Sequence, residues 1–251
     1  MNDQRRGARV LPPGQRRVEG FPRFGTHLHK PPPVVPADHH IEVSGAVTGP
    51  FAISLTELAA LPRLELTADF HCVAGWSATD LHWEGVAFAT FYRAIATPAL
   101  QRDAAVTHVV FRGLDGYESI VCLEDALQDD VLLADHLDGR PLDGDHGAPV
   151  RLVSPGQYGF VSIKHLSGIE LHTRVPTGRR PSVTDRLLAG HPRARVWREE
   201  RHGYLPAWAV RPVYRLLIRP IAALSACGSR QADPPPQPAR AAGARSSNGA
   251  P

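Results

Sequence analysis

The sequence predicts an α+β fold with mixed or antiparallel sheets and short helices. Strand-like runs outnumber helical ones, and their spacing lacks the regular alternation of a βαβ chain. No segment repeats at a fixed period. The 251 residues are 43% hydrophobic, enough apolar material for one large core or two small ones. No run of eighteen apolar residues is present, so a membrane-crossing helix is not expected.

In chain order, residues 1–36 hold LPPGQRR and HKPPPVVP, where proline fixes φ and removes backbone donors, so an extended Pro/Arg-rich arm is expected. From Ile41, IEVSGAV alternates as a strand. Ser54, with Glu57 three residues on, reads as the capped start of a short helix ending before Pro62. Leu64–Val73 alternates as a second strand, with Cys72 at its end before Gly75. Val86–Ala96 reads as a helix. Thr107–Arg112 and Tyr117–Leu123 read as strands paired through the turn Gly113–Gly116. Val131–Ala134, Val150–Val153 and Val161–Leu171 supply further strands, completing a domain over 37–176.

Residues 177–228 form a basic extension. Within it WAVRPVYRLLIRPIAAL (208–224) sets Arg211, Arg215 and Arg219 four apart on one helical face with aliphatics opposite, in a helix bent or broken near Pro212 and Pro220. Such a helix docks on the body or, as the lesser alternative, touches a membrane surface. The Pro/Ala/Gly/Ser-rich stretch 229–251 reads as a disordered tail.

Lys+Arg 28 against Asp+Glu 25 is too even a balance to indicate nucleic acid. Lys30 and Lys164 are the only lysines, which makes Lys164, inside an apolar segment, worth following. The three cysteines Cys72, Cys122 and Cys227 cannot all pair, and no apolar run follows the arginines of the start; a cytoplasmic chain with free thiols is expected.

Two segments carry the chemistry. The first is Phe70-His71-Cys72-Val73-Ala74-Gly75-Trp76-Ser77, followed by Trp83-Glu84-Gly85-Val86. A thiolate suits a soft or high-valent metal, and glycine beside it lets backbone approach a ligand. The second runs through Asp138-Gly139-Arg140-Pro141-Leu142, His146-Gly147-Ala148-Pro149-Val150-Arg151 and Pro155-Gly156-Gln157-Tyr158-Gly159 to Ser162-Ile163-Lys164-His165. A His, an Arg, a Ser and a lone Lys around Gly-rich turns suit a phosphate-bearing anion.

In order and separation these motifs resemble the oxidoreductase molybdopterin-binding domain of the sulfite oxidase superfamily, above all its small bacterial single-domain members. The resemblance spans roughly Leu11 to Leu171 and implies a sulfite-oxidase-type fold and a molybdenum–molybdopterin cofactor. It implies that Cys72 ligates molybdenum and that His146, Arg151, Ser162 and Lys164 lie along the pterin and its phosphate, with the Tyr158–Gly159 turn bringing backbone amides close. His71 either hydrogen-bonds the cofactor or is an ordinary strand residue. A cationic pocket is expected to lower the Cys72 thiol pKa.

Val161 and His165 stand where small members carry Lys and Trp. Asp135 falls where true sulfite oxidases carry an active-site Tyr, and Gly75-Trp76-Ser77 replaces their Asn-Arg-Arg run. An acidic group at 135 repels an anion, so a sulfur- or nitrogen-oxide substrate other than sulfite is favoured. The resemblance implies oxygen-atom transfer to or from a small molecule, with electrons passing through a separate carrier protein. A cofactor-poor binding module of the same fold is the alternative.

Overall fold

The computed structural model describes residues 10–24, 29–176 and 190–232. One sheet is built on the long strand β5 (Trp76–Ala87), flanked by β4 (Arg63–His71) and β8 (Leu132–Leu137), with β1 (Arg16–Arg17), β9 (Arg140–Pro141) and β10 (Arg151–Val153) completing it. The second sheet has the order β3 (Phe51–Ser54), β2 (His40–Gly45), β11 (Leu166–His172), β6 (His108–Gly113), β7 (Glu118–Cys122). Pairing is antiparallel except at β2–β11 and β1–β5, so the sheets are mixed as the sequence predicts.

Alternation places the core. Ile41 and Val43 of β2 are fully buried while their neighbours face outward, and Val109, Phe111, Ile169 and Leu171 join them under the second sheet. A separate cluster around Trp76, Trp83 and Cys72 lies on the first sheet. Ser54 caps α1 (Leu55–Ala59) through a full capping box with Glu57, as its spacing indicates. The β6–β7 turn closes through the Gly113 N–H donating to the Tyr117 carbonyl at 2.9 Å.

Three element boundaries differ from expectation. Val86 and Ala87 remain in β5 because they pair with Leu133 and Leu132 of β8; helical structure starts at α2 (Phe88–Phe91) and continues through a π-helical turn, Tyr92–Ala96, into α3 (Thr97–Ala99). Val161–His165 forms turns, and the strand begins only at Leu166. The C-terminal helix runs through both prolines; after the short α4 (Leu123–Ala126) it is α5 (Ala207–Ala232). Pro212 and Pro220 are exposed, so water serves the carbonyls they leave without donors. The expected tail lies from Asp233 onward outside the described residues, as do residues 177–189.

Candidate active site

A β-bulge between Ala68 and Phe70 redirects the end of β4, and the chain turns at Cys72. The Cys72 N–H donates to the Trp76 carbonyl at 2.9 Å and the Gly75 N–H to the Cys72 carbonyl at 3.0 Å. Gly75 has φ +98°, a conformation that favours glycine. Two distant segments hold this loop. Gln15 Nε2 donates to the Cys72 carbonyl at 3.1 Å. Ser77 Oγ donates to Gln15 Oε1 at 3.0 Å, which leaves that oxygen to accept from His71 Nδ1 at 2.8 Å. Arg201, 1% exposed, donates to the Val73 carbonyl and, at 3.3 Å, to the Gly14 carbonyl, with its guanidinium 5.1 Å from the Tyr158 ring centroid.

The second half of the site lies between residues 143 and 165. Arg151 is fully buried. Its guanidinium donates only to main-chain oxygens, those of His146 at 2.9 Å, Ser162 at 3.1 Å and Leu152 at 3.3 Å. The rings of Trp83, Phe70 and Phe21 lie 5.3, 5.5 and 5.8 Å from it. No carboxylate pairs with it among the described residues, and burial lowers its pKa to about 9. Lys164 packs across Gly147, where an added Cβ would stand 3.0 Å from Lys164 Cβ, and donates to the Asp145 carbonyl. Burial, then the nearby Arg151 and Arg23, hold the Lys164 ammonium down to about 7. Both ring nitrogens of His146 face oxygens, Asp143 Oδ1 and the Phe21 carbonyl, each at 2.8 Å.

Lys164, Lys30 and Arg23 line one cavity of about 220 Å³ beside Asp115 and His165. The only two lysines of the chain thus meet, 134 residues apart. Arg23 Nη1 and Trp83 Nε1 are buried without a hydrogen-bond partner. Arg23 Nε lies 3.3 Å from Asp145, which leaves Arg151 as the buried cation with no carboxylate; such a cation beside unpartnered buried donors is costly unless an acceptor-rich anion meets them. The donor set therefore fits a phosphate-bearing group.

Phe70 joins the halves. It stands two residues before Cys72, lies over Arg151, and presses on Gly159, where a Cβ would come within 2.1 Å of the ring. The aromatic cluster of Phe21, Phe70 and Trp83 thus meets Cys72, Arg151 and His146, while Ser162 joins through its carbonyl to Arg151 and Tyr158 lies under Arg201. Ser162 Oγ accepts the Ser154 N–H at 3.2 Å, and Tyr158 is buried beneath Arg201.

Asp135 is not brought there. Arg63 donates to both its carboxylate oxygens at 2.6 Å and His136 lies at 2.7 Å. Burial would raise its pKa, but Arg63 and His136 outweigh it and hold the carboxylate below its ordinary range. It sits level with the Leu64 end of β4, on the order of 20 Å along the strands from Cys72. The Cys72 thiol also differs from expectation: burial pushes it up to about 12, and Arg201 offsets this only in part. Val161 and His165 are buried structural residues, the latter bonded to the Ala148 carbonyl at 2.6 Å.

Reasoning from motifs missed Gln15, Phe21, Arg23 and Arg201. The Pro-rich arm and the basic extension marked the segments, but nothing local marked those side chains.

The oxidoreductase molybdopterin binding domain model matches residues 27–179. The chain belongs to this family. Its cofactor class is molybdenum–molybdopterin. The uncharacterized oxidoreductase YuiH of Bacillus subtilis (strain 168) is 36% identical over 131 residues, which is 52% of this chain and 64% of the relative. The protein-methionine-sulfoxide reductase catalytic subunit MsrP of Xanthomonas campestris is 31% identical over 54% of this chain and 45% of its own length. Human mitochondrial sulfite oxidase is 30% identical over 64% of this chain and 35% of its own. The chain thus spans between about a third and two thirds of these relatives. The sulfane dehydrogenase SoxCD of Paracoccus pantotrophus superposes with a TM-score of 0.50 at 22% identity, over 64% of this chain and 44% of that one, and confirms the expected fold.

Proposed function

We propose that this member of the molybdopterin-binding domain family is an oxidoreductase that moves an oxygen atom to or from a small sulfur- or nitrogen-oxide substrate. The observation that carries the reading is Arg151, fully buried with no carboxylate partner among the described residues, beside Lys164, which shares one cavity with Lys30 and Arg23. When bound, the cofactor supplies two-electron redox chemistry at molybdenum. Arg151 and Lys164 hold its phosphate and pterin edge, and Cys72 serves as the protein ligand to the metal. Phe70, Phe21 and Trp83 exclude water from the pterin side.

Arg201 and Gln15 fix the carbonyls at Val73 and Cys72 and so orient the sulfur. Asp135, neutralised by Arg63 and distant, has no part in substrate handling. With Asp135 held away from Cys72, the substrate class rests on relatives whose names specify sulfite and protein methionine sulfoxide. Electrons reach the centre through a separate protein, and free cysteines support placement in the cytoplasm.

The test is metal and pterin content after expression in a cofactor-competent host. About one molybdenum and one pterin per chain are expected. Cys72→Ser should keep the pterin and change the metal's X-ray absorption by the loss of one sulfur. Neither metal nor pterin in the wild-type chain would overturn the reading and favour the binding module.

A further inference from the structure

Helix α5 is apolar on two sides. Its inner side is spoken for: Tyr214 and Ile218 pack against the Cys72 cluster, and Val210 and Ser225 are buried. At about 100° per residue Leu216 points away from that side, with Val213 and Leu224 on its flank. Leu216 is 80% exposed and Val213 57%. Trp208, 75% exposed, lies on the same flank as Arg215 and Arg219, all within roughly 40°. Both arginines are exposed, whereas Arg211 is tied to Glu199. Between Glu200 and Asp233 the sequence has no Asp or Glu.

We infer that the outer face of α5 rests on an anionic membrane surface. The occupant follows from charge and layering. An aliphatic strip bordered by a tryptophan and two unopposed arginines matches the boundary between acyl chains and phosphate headgroups. A face carrying Arg215 and Arg219 on a stretch without Asp or Glu complements a negatively charged plane. The helix lies on the membrane and does not cross it: no helix among the described residues is long and apolar enough to span a bilayer. Docking of the inner side holds the axis along the body, so the strip meets the membrane broadside. The inference stands apart from the redox reading, since none of the outward residues touches the candidate active site.

The test uses the full-length chain and vesicle flotation. One set of vesicles is phosphatidylcholine alone, the other phosphatidylcholine with one third phosphatidylglycerol. The chain should float with the anionic set, stay down with the neutral set, and bind less as salt rises. R215E/R219E and W208E/L216E should each weaken partitioning about tenfold or more, with melting temperature unchanged because these side chains face outward. Failure of the wild-type chain to bind the anionic set would overturn the inference, as would binding that survives both double variants. Self-association that W208E/L216E dissolves, without vesicle binding, would overturn it too and make the face a contact between copies.

Discussion

The two halves of the site are built on opposite plans. The cationic half comes mostly from within the matched domain, with Phe21 and Arg23 added from the arm, its charges held by main-chain carbonyls and stacked rings. The cysteine half is closed from outside, by Gln15 on the arm and by Arg201, Tyr214 and Ile218 beyond residue 179. One half is a charge trap waiting for an anion. The other is a thiol sealed under protein, its proton retained by burial. The matched domain thus supplies Arg151, Lys164 and His146 of the cradle, while the cover over the sulfur belongs to the segments flanking it.

The largest expected break in this contrast is Cys72→Ser, which should cut turnover by on the order of 100-fold or more while pterin content stays near wild type. Lys164→Met should do the reverse, lowering pterin retention about tenfold or more and stabilising the cofactor-free chain. The sign follows from the Lys164 pKa, held near 7 in the folded chain against the ordinary lysine value. Between those values the unfolded chain binds more protons, so cofactor-free stability should rise with pH from about 7 to about 9 in wild type and rise less in the variant. Thermal melts across that range check it.

Gly159→Ala sharpens the link between the halves. Its methyl would drive Phe70 off its place over Arg151, costing about 1–3 kcal/mol of stability by denaturant titration and weakening both metal and pterin retention.

The smallest effect belongs to the flanking cover. Glu200 is held down to about 2, chiefly by its hydrogen bonds from Arg195. That pair contributes stability above the ordinary glutamate range that is lost as pH falls toward 2. Glu200→Gln should cost about 1 kcal/mol at neutral pH, and the difference from wild type should vanish on acidification to pH 2.

What the sequence made legible was local. The Ser54 capping box, the β6–β7 turn and the placement of Cys72 at a strand end each depend on residues a few positions apart. Lys164 stood out because lysine is so scarce here, and its partner in the cavity proved to be the other lysine. The rest depends on tertiary pairing. Val86 and Ala87 continue β5 because β8 lies beside them, and Asp135 is claimed by an arginine 72 positions away. Aligning Asp135 by sequence order alone could not register that Arg63 sits next to it. The amphipathic pattern of 208–224 showed where the arginines fall but not that aliphatics occupy both sides, because Tyr214 and Ile218 reveal their partners only in the folded chain.

The hydrogen bond from Arg201 to Gly14 ties together positions 187 residues apart. Closing so long a span costs chain entropy that the contacts around it must offset. Removing Gly14 and Gln15 with the arm, or Arg201 with the extension, would therefore loosen the Cys72 loop from its flank, and loss of the arm would also take β1 from the first sheet.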